Sequence, residues 1–260
     1  MLRGLYSSAT GMKAQELLID VTANNLANVN TNGFKRSQLD FADQLYSTIQ
    51  QAGSEVNAGQ PAPVGLQIGS GVRPTGTTKL FKPGSHNMTG NALDAAISGD
   101  GFFQIELANG DLRYTRDGAF RQNPEGQLVT MDGNLLSPQV SIPALSTRIS
   151  IGKDGTISFM DSSGVAGSTG PIQLARFSNP AGLSSEGGNL YAQTIASGDP
   201  QIGQPGTSGA GTLVGGHLES SNVEVVQELI SLITAQRAYD LSSKVISASD
   251  EMMAAVAQLR

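Results

Sequence analysis

The residue types able to do chemistry are few in this chain and poorly spaced for it. Gly69-Ser70-Gly71-Val72-Arg73-Pro74 begins like a glycine-rich loop that cradles phosphate, but Pro74 stands where a third glycine belongs. No helical pattern follows to aim backbone N–H groups at an anion, so the segment reads as a strand-to-turn connection. Ser98-Gly99-Asp100-Gly101 and Arg116-Asp117-Gly118 resemble calcium loops in composition. Both lack the oxygen spacing and the closing Glu of such loops and read as tight turns before strands. A serine nucleophile needs a base within hydrogen-bond reach, and the two imidazoles, His86 and His217, lie in no nucleophile motif. Dispersed carboxylates can converge into a glycosidase pair, yet five Tyr, eight Phe and no Trp supply few sugar platforms. Asn87-Met88-Thr89 fits a glycosylation sequon by pattern alone. The absence of Cys removes disulfides, thiolate metal sites and cysteine nucleophiles together. No catalytic, cofactor-binding or metal-ligating residue is assigned, and no cofactor is expected.

Composition points the same way. The chain has 260 residues, enough for one large domain or two modest ones. With 32 Gly and 11 Pro it is turn-rich but below the composition of a disordered chain. Charged residues are 15%, against a typical value of about 25%, so much of the surface is suited to contact with other protein. A formal charge of −6 argues against nucleic acid, whose affinity comes mostly from Lys and Arg on phosphates. No apolar run reaches the roughly 18 residues of a membrane span, and the first residues read as neither a cleaved signal peptide nor an anchor.

The elements that would position any site fall into three zones. At the N-terminus Leu2, Leu5, Ala9, Met12, Glu16, Ile19, Ala23 and Leu26 alternate in steps of three and four, a heptad seam interrupted by Glu16. This predicts a helix over about 3–28, stopped by Asn28-Val29-Asn30-Thr31-Asn32-Gly33. Leu39, Ala42, Tyr46 and Ile49 predict a second, shorter helix. At the C-terminus Ala238, Leu241, Val245, Ala248, Met252, Ala255 and Leu259 repeat the spacing after Val226, Leu229 and Ile233, predicting a helix over about 222–258 capped near Ser220-Ser221-Asn222. Two such helices invite pairing, and their combined seam exceeds what one chain can cover, so part of it must face other copies.

Between them the period changes to two. Phe102–Leu107 with Leu112–Thr115, Leu128–Thr130 with Leu135-Leu136, and Ile149–Ile151 with Ile157–Phe159 flank turns at Gly110, Gly133 and Gly155. These hairpins predict a β-meander or barrel. Val64–Ile68 and Ile172–Phe177 are further strand candidates, and 198–212 reads as a loop. The expected fold class is therefore α+β: long terminal helices paired as a coiled-coil-like domain, with an inserted all-β domain. The expected division is a discontinuous helical domain of 1–50 plus 218–260, an extended segment over 51–80, and a β domain over 81–217.

Three groups of residues carry a resemblance. Ser8-Ala9-Thr10-Gly11-Met12, Asn24-Asn25-Leu26-Ala27-Asn28 and Thr31-Asn32-Gly33-Phe34-Lys35-Arg36 resemble the N-terminal signature of bacterial flagellar rod and hook subunits. Glu219-Ser220-Ser221-Asn222-Val223 and Ala235-Gln236-Arg237-Ala238-Tyr239 are similar to that family's C-terminal motif. Ile97–Phe103 and Tyr114–Gly118 resemble its central β domain. The motif residues are Asn24, Asn25, Asn28, Asn32, Gly33, Phe34, Gln236, Arg237 and Tyr239. Within the family, chain length and the segment Gly65–Pro74 look most like distal rod members, with proximal rod and hook subunits as the alternative.

The resemblance implies a structural subunit, not an enzyme, exported unfolded through the flagellar type III apparatus and polymerised into a rigid hollow shaft in the periplasm-spanning part of the basal body. Implied partners are other copies of the chain, proximal rod and hook subunits, and the ring proteins forming a bushing around the rod. Nucleic acid and membrane insertion are not among them. The expected self-assembly seam comprises Leu5, Ala9, Met12, Ile19 and Leu26 with Ala238, Leu241, Val245, Ala248, Met252 and Leu259. A secreted hydrolase using dispersed carboxylates is the remote alternative from another class.

Overall fold

The computed structural model describes residues 2–53, 55–57, 60–61, 63–143, 146–161, 164–207 and 209–258. The chain divides into two compact units: 1–27, 37–78 and 224–260 form the first, and 28–36 with 79–223 form the second.

In the first unit α1 spans Leu2–Ala27 and α2 spans Val225–Gln258. Three two-stranded antiparallel pairs accompany them: Ser37–Asp43 with Val72–Lys79, Tyr46–Gln50 with Leu66–Gly69, and Glu55–Asn57 with Gln60–Pro61. Gly71 is where the second of these chains returns to α1. Its φ of +107° is open to glycine, and a Cβ there would come within 2.2 Å of Thr10 Oγ1. Thr10 Oγ1 accepts the N–H of Val72 at 3.4 Å, which ties the strand to the helix.

Two expectations need correction here. The segment expected as a short second helix through Leu39, Ala42, Tyr46 and Ile49 is two strands, because each finds a partner in 66–79 and pairing overrides weak local spacing. The expected coiled-coil-like domain of long helices paired along their apolar seams is also overturned. Among the described residues there are two α-helices beside a large β-rich body. The buried positions of the helices are Ala14, Thr22, Asn25, Glu228, Ala235 and Ser249, small or polar residues outside the apolar heptads. The physical reason is steric and polar: small side chains allow close approach, and the buried amide and carboxylate must be where they can hydrogen-bond.

The second unit is β-rich. Phe102–Glu106 lies at the centre of a nine-stranded sheet, paired antiparallel with Leu112–Thr115, Leu135–Ser137 and Leu174–Arg176. The hairpins expected at Gly110, Gly133 and Gly155 all form. The third belongs to a separate three-stranded sheet of Thr147–Ile151, Ile157–Met160 and Ala166–Thr169. Gln201–Gly203, expected within a loop, adds to the edge of Leu174–Arg176, a long-range pairing that local composition does not announce. Inward residues alternate as a strand requires, and Ile97, Phe103, Ile105, Phe120, Leu136 and Ile157 make the main core. A second cluster is aromatic: Phe81, Phe102, Tyr114, Phe177 and Tyr191 are linked by edge-to-face contacts between 4.7 and 6.0 Å, with Phe81 against Phe102 and Tyr191.

Candidate functional site

The first feature that stands out is a surface. On α2, Val226 is 71% exposed, Leu241 63%, Val245 49% and Met252 52%; Val225, Leu229, Ile230, Ile233, Tyr239 and Val256 are exposed as well. From Val225 to Gln236 the helix carries one charge, Glu228, and that side chain is buried. A helix in water whose apolar stripe faces outward has not found its partner within the chain. The sheet pair Tyr46–Gln50 with Leu66–Gly69 is a second exposed apolar surface, since Tyr46, Ile49, Leu66 and Ile68 are exposed and, among the described residues, no further strand joins it. An isolated two-stranded pair is marginal in water unless something covers it.

The expected seam residues are distributed unevenly. Leu5, Met12, Ile19, Leu26 and Ala238 are half-buried, whereas Ala9, Leu241, Val245, Ala248 and Met252 are exposed. Leu259 lies outside the described residues. The structure thus leaves most of the C-terminal stripe exposed.

The second feature is a buried charge cluster in the second unit. Lys35 Nζ donates to Glu219 Oε1 at 2.5 Å and to the Lys82 carbonyl at 2.9 Å. Glu219 also accepts the Gly84 N–H at 2.9 Å and Arg116 Nη1 at 3.4 Å. All three charged side chains are closed to solvent, and the Arg116 guanidinium rests 5.3 Å from the Phe102 ring centroid. Burial pulls the Lys35 ammonium and the Arg116 guanidinium below their ordinary pKa values, and Glu219 opposes both shifts. Burial pushes the neighbouring Tyr191 hydroxyl up to about 12.

The motif residues of 28–36 build this cluster. Gly33, at φ +69°, donates its N–H to the Glu219 carbonyl at 2.8 Å, and a Cβ there would lie 2.6 Å from the Asp117 nitrogen. Phe34 is buried beneath Lys79, whose Nζ sits 4.8 Å from the ring centroid. The Asn32 carbonyl accepts Asn189 Nδ2, and Asn28 Oδ1 accepts the Thr31 hydroxyl. In the first unit Asn25 is buried against Glu228 and Ser37, while Asn24, Gln236, Arg237 and Tyr239 are exposed. Sequence reasoning did not single out Lys35, Arg116 and Glu219 as a set. Each stands inside a motif, but nothing in linear spacing tells that residues so far apart share one burial site.

Among the described residues no three His, Asp or Glu are placed to hold a metal, and no helix is long and apolar enough to cross a membrane. A groove of about 1070 Å³ on the second unit holds Arg113, but Glu186 at 2.5 Å and Asp111 at 3.5 Å neutralise it. The Gly69–Pro74 segment joins two strands, as expected.

Comparison with known proteins agrees with this geometry. Residues 5–35 match the family described as flagella basal body rod protein, 96–159 the flagellar hook protein FlgE/F/G D1 domain, and 214–259 the flagellar basal body rod FlgEFG protein C-terminal family. The chain is 45% identical over 258 residues to the flagellar basal-body rod protein FlgG of Buchnera aphidicola subsp. Baizongia pistaciae, covering 97% of this chain and 98% of that one. It is 43% identical over 261 residues to FlgG of Caulobacter vibrioides, with full coverage of both. The flagellar hook-basal body complex protein FlhP of Bacillus subtilis is 30% identical over 274 residues, again with full coverage.

Proposed function

The chain belongs to the flagellar basal-body rod and hook family, and from that premise we propose that it is a distal rod subunit, a structural protein that polymerises into the rigid hollow shaft carrying torque from motor to hook. The observation that carries this reading is the outward apolar stripe of α2, Val225 to Val256. Contacts between unlike patches on identical copies produce an open helical polymer wherever their rotation does not close into a ring. Polymerisation is assigned to 1–50 and 218–260, with Leu5, Ala9, Met12, Ile19 and Leu26 and Ala238, Leu241, Val245, Ala248 and Met252 turned to neighbouring copies. The exposed strand pair over 46–69 is assigned to an adjacent copy as well, which stiffens the shaft.

The remaining partners follow from the family: proximal rod and hook subunits at the two ends, ring proteins around the rod, and the type III export apparatus that delivers the chain unfolded. A chain without disulfides suits that route. The location is the periplasm-spanning rod of the basal body. The test is electron microscopy of the purified protein at rising concentration. Filaments of uniform diameter support the reading, and a protein that stays monomeric at all concentrations contradicts it.

A further inference from the structure

Three short segments of the second unit, 32–36, 80–88 and 217–223, are fastened to one another by polar contacts. One carboxamide ties all three: Asn222 Oδ1 accepts the Arg36 N–H at 2.8 Å, and Asn222 Nδ2 donates to the Leu80 and Lys82 carbonyls at 2.7 and 3.1 Å. The Glu219 carboxylate repeats the pattern, taking Lys35 Nζ from the first segment and the Gly84 N–H from the second. Backbone bonds add to it. The Gly33 N–H donates to the Glu219 carbonyl at 2.8 Å, the Leu80 N–H to the Arg36 carbonyl at 2.9 Å and the Ser220 N–H to the Ser85 carbonyl at 2.8 Å. His86–Met88 and His217–Glu219 pair antiparallel, and among the described residues neither has a further strand beside it.

Little apolar burial backs these contacts. All nine strands of the large sheet lie between Phe102 and Gly203, so the three segments contribute none of them. Phe34, Leu218 and Val223 are buried but belong to neither core cluster of the unit, and of the three segments only Phe81 packs against one, from a partly buried position. Further ties include Arg116 on Glu219 and Asn189 Nδ2 on the Asn32 carbonyl. A hydrogen bond broken into water is largely replaced by one to water, whereas an uncovered apolar core has no such compensation. The segments therefore separate more easily than the sheet comes apart. They also separate together: with 217–223 withdrawn, Lys35 and Arg116 would share a dry site without their carboxylate, a state that burial strongly penalises.

We propose that 32–36, 80–88 and 217–223 form a latch that opens as one piece while the nine-stranded sheet stays folded. The first segment follows α1 and the last leads into α2, so one opening frees the chain at both helix-bearing ends of the β-rich unit. The latch is a property of the single chain and holds whether or not the chain polymerises.

Native-state hydrogen exchange of the dilute full-length protein, in rising urea below the unfolding transition, tests this. The amides of Gly33, Arg36, Leu80, Gly84 and Ser220 are expected to exchange through one common opening. That opening is expected to be at least about tenfold more populated than the one exposing Phe102–Glu106, and to depend less on urea because it uncovers less surface. Asn222→Ala supplies the second arm. The Asn222 side chain takes no part in the bonds of Gly33 and Gly84 to Glu219 or of Ser220 to Ser85, yet all three amides are expected to speed up by the same factor as Leu80, about tenfold or more. Exchange of the five amides only together with the sheet, with one opening equilibrium and one urea dependence, overturns the proposal. An Asn222→Ala variant in which Arg36 and Leu80 speed up while Gly33, Gly84 and Ser220 match the parent overturns it as well, because the segments then fray separately.

Discussion

Lys35 Nζ and Glu219 Oε1 lie 2.5 Å apart with neither side chain open to solvent, although 184 residues separate them in the chain. The two segments that hold them, 28–36 and 217–223, are fastened to each other and to Arg116 of the β-rich unit. A buried cluster with two cations and one anion depends on its single carboxylate, since each cation lost more in leaving water than it regains without a partner.

Glu219→Gln is therefore expected to destabilise the second unit by about 3–5 kcal/mol, the range for breaking a buried ion pair from one side. Lys35→Met is expected to cost less, because Arg116 still neutralises the carboxylate. Urea unfolding followed by tyrosine fluorescence measures both, and equal, negligible losses speak against an energetic role for the cluster.

The Tyr191 hydroxyl gives the alkaline response its sign. Its pKa is near 10 in the unfolded chain and about 12 in the fold. Between those values the unfolded chain has released a proton that the folded chain keeps, so stability falls as pH rises across that window and the term is fully present below it. Lys35, lowered by burial, acts oppositely: between its lowered value and 10.5 stability rises with pH. Tyr191→Phe is expected to flatten the decline between pH 10 and 12 in a thermal-melt series; an unchanged slope counts against the assignment.

Gly71→Ala places a Cβ against Thr10 Oγ1 at a φ of +107°. The expected loss is about 1–3 kcal/mol, the range for a strained backbone position. Thr10→Ala removes the clash but not the strain, so it should restore part of the loss in chemical denaturation. Full restoration identifies the clash as the whole effect.

Much of the β-rich unit was legible in the sequence because its signals are local: alternating residues around Asn109-Gly110, Asp132-Gly133 and Asp154-Gly155 require no knowledge of distant chain. The two terminal helices were legible for the same reason. Which face of each helix is buried was not, since a heptad count weighs apolar residues and ignores that the buried polar side chains of Asn25 and Glu228 need hydrogen-bond partners. The strands at 37–50 were misread for want of their partners at 66–79, and the charge cluster was hidden because Lys35, Arg116 and Glu219 meet only after three segments have folded together.

The most direct test of the central claim is the assembly of Leu241→Asp. Leu241 is 63% exposed, so a carboxylate there disturbs no buried contact of the single chain and its circular dichroism and melting should match the parent. Electron microscopy and sedimentation of parent and variant at equal concentration are expected to show filaments for the parent and monomer for the variant. Filaments of normal diameter and length from Leu241→Asp would contradict the claim that the outward stripe of α2 builds the polymer.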